Sequence, residues 1–533
     1  MAMPGPSSDP GPARAVRHGS DPRGHDSSRL ATIDAWLGVP VSGRTSSVES
    51  STVTVHTQAR EAFASFESAV AACEGPDSLV VIAGWSFYAS TRLTDATTVG
   101  MALRAAAARG VQVRALFTRF PAVKIGPLPS IPVKRGNRAA TAFVDALPGG
   151  AAIHDGWLLR RDLAVAGGRL VNPVQTGVHH QKVWIVRNGT ELRAWCGGVD
   201  FHPNRTDHPG PAMHDVQAEL TGSGAADLYA LLQERWNTHP QRPRRITIPP
   251  LGSERDDDGA AAAGTDAAGS DAAGADGDGP DSSGSDTPDA DGTPLRPHRT
   301  RILTTYADPA AYAGLGGPSY PFAPTGSTAL RDFLHHAIDR AQRFVYLEDQ
   351  YLVDEEIARH LAAAMPRLDA LIAVISRSDE VSRELFQVWD RRRRFLAHLA
   401  PHAAKVAVVT SRQYVHAKTW VFDDEIALVS SANVNRRSMS HDSEAGVAFG
   451  DLTGPGEVRR MRERLWALHL AESAPSVSAP PELSLAIWKS PPVGSPVEVY
   501  DADAGTDTAP VDPRVARLFT PSAFWDQVVD PGV

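Results

Sequence analysis

Cysteine is almost missing from this chain. Cys73 and Cys196 are the only two in 533 residues, too few for a disulfide framework or a thiolate zinc site. Both are expected to be reduced and structural. Long apolar runs are missing as well. No stretch approaches the roughly 18 consecutive apolar residues of a spanning helix, and the first 30 residues, rich in Pro, Gly, Ser and charge, lack the apolar core of a secretion signal. The expectation is a cytoplasmic protein, peripheral at a membrane at most and without a transmembrane segment. A dominant charge is also lacking once the acids are located. The formal charge is −9, but residues 254–291 hold twelve acids and one base, Arg255, a local −11 that leaves about +2 elsewhere. Net charge therefore names no partner. A near-neutral body makes nucleic acid an unlikely one, since that needs broad basic surface.

What is present is an ordinary globular chain, 42% apolar, too long for one core. Residues 252–296 are Gly, Ala, Asp, Ser and Pro almost throughout. Such a stretch buries too little apolar surface to offset the entropy of ordering and reads as a solvated linker. The expected division is a disordered segment 1–45, a first half 46–245, an acidic linker 246–299, a second half 300–474 and a Pro-rich extension 475–533. The halves share an order of elements. "DSLVVIAGWSFY" is a buried strand, "MALRAAAARGVQVRALFT" a helix then a strand, and a helix ending "ERWNTH" closes the half at His239. In the second half "RFVYLEDQYLV" is the strand, a helix starts near Glu355, "ALIAVIS" is the next strand, and a helix ending "RLWALH" closes at His469. This alternation predicts a duplicated α/β unit. In the tail, "LSLAIW" reads as one strand.

Between these landmarks each half carries one unusual strand. In "TGVHHQKVWIVRNG" (176–189) the β-formers and the Asn188-Gly189 turn pair predict a hairpin strand. Alternation puts His180 and Lys182 on the same side. The second half has "HAKTWVFD", with His416, Lys418 and Asp423, followed by Ser431 and Asn433 in "SSAN" and Glu444 in "DSEAG". The first has Gly198 and Asp200 in "GGVD" at the places of Ser431 and Asn433, and Asp215 in "HDVQAEL".

This paired pattern resembles the two signatures of the phospholipase D superfamily, over roughly residues 75–240 and 300–472. The context of "GGVDFHPNR" and "HDVQAEL" is closer to phospholipase D enzymes proper than to single-motif nucleases. The resemblance implies two similar α/β halves packed around one central active site and a metal-independent phosphodiesterase acting on a glycerophospholipid at a membrane surface. It implies His180 as nucleophile and His416 as general acid. Lys182, Lys418, Ser431 and Asn433 would bind phosphate, with Gly198 and Asp200 lining the same place. The chemistry fits. An imidazole can attack phosphorus to give a phosphohistidine, a second can protonate the leaving oxygen, and two ammonium groups can hold the non-bridging oxygens. Each imidazole then needs an acceptor on its other nitrogen. Asp215 and Glu444, 35 and 28 residues downstream of the histidines of their own halves, are the candidates. No cofactor is implied.

Two positions depart from the pattern. Arg187 stands where the first signature normally has its Asp, a residue expected to support the strand turn, as Asp423 would. Asp200 replaces an amide and is expected to brace the loop or Lys182. The histidines His179, His180, His202, His208 and His214 form no closed ligand set for zinc; His179 and His214 are expected as hydrogen-bonded walls. The block Arg391–Arg394 reads as a solvated helix face, and "EVRRMRERLWALHL" as core packing. Competing functions are a cardiolipin-synthase-like phosphatidyltransferase, a nuclease, and a catalytically dead phosphate-binding module. Headgroup, acyl preference and oligomeric state are not legible.

Overall fold

The computed structural model describes residues 27–119, 122–125, 131–132, 136–157, 163–166, 169–170, 177–206, 212–243, 245–252, 297–308, 319–378, 388–453, 456–471 and 481–502. Besides a separate sheet of four short strands between Ala122 and Leu170, the strands of the first half are β1 (Glu49–His56), β2 (Leu79–Gly84), β3 (Gln112–Thr118), β4 (Gly150–Asp155), β5 (Val183–Asn188), β6 (Glu191–Gly197) and β7 (Gln217–Gly222). Those of the second are β8 (His298–Tyr306), β9 (Phe344–Asp349), β10 (Ala370–Ile375), β11 (Val406–Ser411), β12 (Thr419–Phe422), β13 (Ile426–Ser430) and β14 (Glu444–Asp451). A short β15 (Val497–Val499) follows.

Strands β1 to β15 all belong to one sheet, in the order β15-β11-β10-β9-β12-β13-β14-β8-β1-β7-β6-β5-β2-β3-β4. Without β15 the order is a palindrome about the β8–β1 pair. The duplication read from the sequence is thus a pseudo-twofold in the sheet. The inner strands β2 and β9 have no exposed residue, as strands covered on both faces must. Each is parallel to its successor and antiparallel to the histidine-bearing hairpin. Across the seam, β1 pairs antiparallel with β8 from Glu49↔Thr300 to Ser51↔His298.

Helices cover both faces. On the outside lie α2 (Ala59–Ala71), α3 (Val99–Ala108) and α4 (Gly136–Asp145) in the first half, and α6 (Ala329–Arg340), α7 (Glu355–Ala364) and α8 (Val388–Leu399) in the second. α2 buries Ala62, Phe63, Phe66, Ala69 and Val70, a helical stripe that meets Trp184, Trp195 and Phe201 in one aromatic cluster. The closing helices α5 (Ser223–Thr238) and α9 (Glu457–Leu470) lie in a core shared by both halves, where Trp236 and Trp466 are fully buried. Of the four residues expected in the core of α9, Val458, Met461 and Leu465 are buried and Leu468 is half-buried.

Four expectations need correction. Residues 27–45, assigned to a disordered segment, are folded: α1 (Ser27–Leu37) buries Ile33, Trp36 and Leu37 against the second half. Polar composition hid a single apolar stripe. The linker starts later than 246, because Ile248 is buried and its backbone is held by Asn237 of α5; it ends earlier than 299, because β8 begins at His298. Residues 253–296 lie outside the described ones. "LSLAIW" is helical, α10 (Pro481–Lys489), because the buried Ser484 and Trp488 are four apart and not two. Finally, Arg392 of the basic block is buried, not solvated, and donates to the carbonyls of Tyr351, Ser376 and Gln350.

Candidate active site

His180 and Lys182 lie in the extended lead-in to β5, and His416 and Lys418 in that to β12. Both lead-ins cross the seam. His180 N–H donates to Ser443 O at 2.9 Å and Ser443 N–H to Val178 O at 2.8 Å. By the same symmetry His416 N–H donates to His214 O at 2.7 Å and His214 N–H to Tyr414 O at 2.8 Å. Each histidine segment is therefore zipped to the carboxylate segment of the opposite half.

The side chains follow. His180 Nδ1 lies 3.0 Å from both oxygens of Glu444, and His416 Nδ1 lies 2.8 Å from Asp215 Oδ2. The same-half pairing expected from sequence spacing is thus replaced by a crossed one: Glu444 stands behind His180, and Asp215 behind His416. Linear distance could not reveal a bridge that only the pseudo-twofold creates. Both carboxylates are fully buried, while 12% of each imidazole stays exposed. With Nδ1 engaged, Nε2 is the ring nitrogen available to a ligand.

Both ammonium groups are buried. Lys182 Nζ donates to His180 O at 2.9 Å and Lys418 Nζ to His416 O. Burial first pushes both imidazoles well below their ordinary protonation range, followed at His180 by Lys182 and at His416 by Arg205 and then the two lysines. Each lysine acts on both rings, so all four groups share one place. Burial pushes the Asp215 carboxyl up to about 6 and Glu444 up to about 7. Each imidazole–carboxyl pair therefore titrates as a unit. Burial brings Lys418 down to about 8, which leaves it mostly an ammonium at neutral pH.

The halves support this set differently. In the second, the Ser431 hydroxyl donates to Glu444, and Asp349 accepts from Tyr351, Leu352 and Val434 N–H. In the first, Gly84 occupies the position of Asp349, and Asp200 supplies the carboxylate instead. Asp200 accepts from Trp85 N–H at 2.8 Å and Ser86 N–H at 3.1 Å and lies 3.4 Å from Lys182 Nζ. It braces both loop and lysine. Gly198 is required at the place of Ser431, because a Cβ there would stand 1.9 Å from Asp215 Oδ1. Asn433 is buried, with its Oδ1 lacking a hydrogen-bond partner among the described residues.

Asp423, at φ +57°, accepts from the N–H groups of Gln342, Arg343 and Phe344. It fixes a strand start and does not reach the imidazoles. At the matching position Arg187 donates to the carbonyl of Asp77 and to Tyr229. The same strand start is held with donor and acceptor exchanged.

Arg205, Trp85, Asp155 and Glu348 were not singled out from sequence, whereas His179 and His214 are hydrogen-bonded as expected. Arg205 Nε lies 3.0 Å from Asp215 Oδ2 and its Nη2 3.1 Å from His416 Nδ1. The Trp85 ring meets His180 edge-on at 5.0 Å. His179 Nδ1 donates to Asp155 at 2.8 Å, and the same carboxylate accepts from Arg235 and His239. His214 bonds Glu348 at 2.6 Å, and His469 bonds it at 2.9 Å. The repeated Trp-x-x-His that ends α5 and α9 was the sequence signal for these clusters. His202 caps a short turn; His208 lies outside the described residues. Both cysteines are buried and free, and burial pushes the Cys196 thiol up.

Fold and site together define a class: a duplicated α/β protein that joins two imidazole–carboxylate pairs and two ammonium groups at its internal seam. A family model described as "Cardiolipin synthase, PLD-like domain" matches residues 334–466. Phospholipase D gamma 2 of Arabidopsis thaliana is 37% identical over 84 residues, 13% of this chain and 10% of that protein. Phospholipase D zeta 1 of the same plant is 52% identical over 46 residues, 8% of this chain and 4% of that one. The chain thus matches a tenth or less of these relatives' length. Among solved structures, phosphatidylserine synthase of Haemophilus influenzae covers 89% of this chain and 92% of its own at 10% identity, with a TM-score of 0.48. The phospholipase D family member Nuc of Salmonella typhimurium covers 38% and 98% at 15% identity, with a TM-score of 0.22. These matches support the phospholipase D superfamily resemblance read from the sequence, with the PLD-like domain matched over residues 334–466. Among the described residues, no helix is long and apolar enough to cross a membrane.

Proposed function

We propose that the chain is a phospholipase D-type phosphodiesterase that cleaves the headgroup ester of a glycerophospholipid at a membrane surface. The crossed pairing supports this reading, because it leaves two imidazoles with the same free nitrogen, each with a buried lysine two residues further along its strand lead-in. Neutral His180 attacks phosphorus through Nε2, and the bond to the headgroup oxygen breaks. His416, protonated on Nε2, gives its proton to that oxygen. The phosphatidyl group is then held on His180. Water or an alcohol enters as His416 takes its proton back, and the P–N bond breaks. Lys182, Lys418 and Asn433 hold the non-bridging oxygens throughout.

Burial, Arg205, Lys418, Lys182 and His180 all oppose a proton on His416. An anionic phosphate among these groups offsets that opposition. Protonation of the general acid is thereby tied to substrate binding.

The test is a panel of phosphatidylcholine, phosphatidylethanolamine and phosphatidylglycerol vesicles, with phosphatidic acid and transfer products measured with and without added ethanol. Product from at least one lipid, abolished in His180→Ala, is expected. No product from any lipid contradicts the proposal. The family model's description motivates a second reading, phosphatidyl transfer between lipids. It predicts cardiolipin from phosphatidylglycerol alone.

A further inference from the structure

We propose that α6 and α7 carry a surface site for a transition-metal dication of the Zn2+, Ni2+ or Cu2+ class, ligated by His335, Glu356 and His360. His335 and Asp339 are four apart on α6, and Glu356 and His360 four apart on α7, so each pair occupies one helix face. The two faces meet. One donor atom from each of His335, Glu356 and His360 falls within 4.8 Å of the others.

The environment fits a metal better than a hydrogen-bond network. His335 Nε2 is buried and has no hydrogen-bond partner among the described residues. Its nearest carboxylate oxygen, Glu356 Oε1, is 3.9 Å away, too far for a hydrogen bond. Donors about 2.0–2.2 Å from a shared ion stand roughly 3.3–3.5 Å apart in tetrahedral geometry. Closure of roughly 0.5 Å for His335 and Glu356 and up to about 1.5 Å for the other pairs reaches that spacing. The His335 and His360 rings stack at 3.9 Å and 14°. Turning each ring about its χ2 out of this stack lets the two in-plane lone pairs converge on one ion.

A supporting contact is also in place. His360 Nδ1 lies 3.3 Å from Asp339 Oδ1, the carboxylate–imidazole arrangement that orients a metal-bound histidine through its other nitrogen. Arg331, a nearby cation, is paired with Asp332. Imidazole and carboxylate donors favour borderline transition metals over Mg2+ or Ca2+. The site shares no residue with the imidazole seam and does not depend on the proposed activity.

The full chain, stripped with chelator, is titrated with Zn2+ and separately Ni2+ by calorimetry, and Co2+ binding is followed by visible absorption. The expected result is one saturable event that disappears in the His335→Gln/His360→Gln pair, weakens about 10–100-fold in Asp339→Asn, and persists in His180→Ala/His416→Ala. Circular dichroism identifies misfolded variants, and single His360→Gln then serves as the second test. No saturable binding, or binding lost only in the seam variants, overturns the site.

Discussion

At the scale of single residues, the site tolerates little because one carboxylate fills another residue's space. A methyl group at Gly198 would lie 1.9 Å from Asp215 Oδ1, so Gly198→Ala must move Asp215 away from His416. We expect kcat to fall about 10²-fold, the cost of a misplacement near 1 Å, with little change in KM; steady-state kinetics checks both. Arg205 is a positioning residue, and its test separates electrostatics from packing. Arg205→Gln removes a cation that opposes protonation of His416, so the alkaline limb of kcat/KM moves to higher pH. A loss of rate with an unmoved profile assigns Arg205 to structure alone. Both histidines and lysines were legible in the sequence because their signatures are local. Arg205 was not, because its partners Asp215 and His416 lie 10 and 211 positions away.

At the scale of elements, the two histidine hairpins show how a strand start is secured. Asp423 accepts three backbone N–H bonds there. Asp423→Ala should cost about 1–3 kcal/mol for donors left without a partner, read as a lower urea midpoint at unchanged slope, with normal activity per folded molecule. Arg187 does the matching task through Asp77 O, so its departure from the pattern alters no contact of the imidazoles. The β1–β7 pair offers a pH test. Burial pushes the Glu219 carboxyl up, but hydrogen bonds from His56, Ser65 and Arg193 outweigh it and hold it at about 2. Its folded value lies below the ordinary 4.5, so the stability it gives is present above 4.5 and fades as pH falls toward 2. Glu219→Gln should flatten that part of the acid-unfolding curve. Element type was legible where periodicity was strong, as in β2, β9 and α9. It failed in α10, where six apolar-rich residues fit either period until Ser484 and Trp488 found one buried side. The turn after β5 also slipped by one: Glu191 pairs with Asn188, and Gly189, at φ +58°, is the first of its two central residues.

At the scale of the whole molecule, the crossed carboxylates make the halves interdependent. Each half holds a histidine, a lysine and the carboxylate that the other half's histidine needs. A chain nicked by protease within 253–296 is therefore expected to keep its activity and run as one species on gel filtration. Residues 27–252 and 297–502 produced apart are expected to be inactive until mixed. Activity in either fragment alone would contradict the shared site. The duplication itself was legible, because five elements recur in order. The pairing across it was not, because nothing in one dimension distinguishes a carboxylate that folds back from one that crosses a seam.

The central claim is that a phosphatidyl group passes through a bond to His180 Nε2 while His416 handles the proton. It is tested most directly by quenching the enzyme during turnover and mapping the covalent adduct by mass spectrometry in wild type and in His416→Asn. The account predicts a phosphatidyl adduct on His180 in the wild type. His416→Asn, by contrast, forms little adduct from alkyl headgroups but accumulates it in a stoichiometric burst from a nitrophenyl ester, whose leaving group needs no proton, and then stalls because no base activates water. An adduct on His416 in the wild type, or full turnover by His180→Ala, would contradict it.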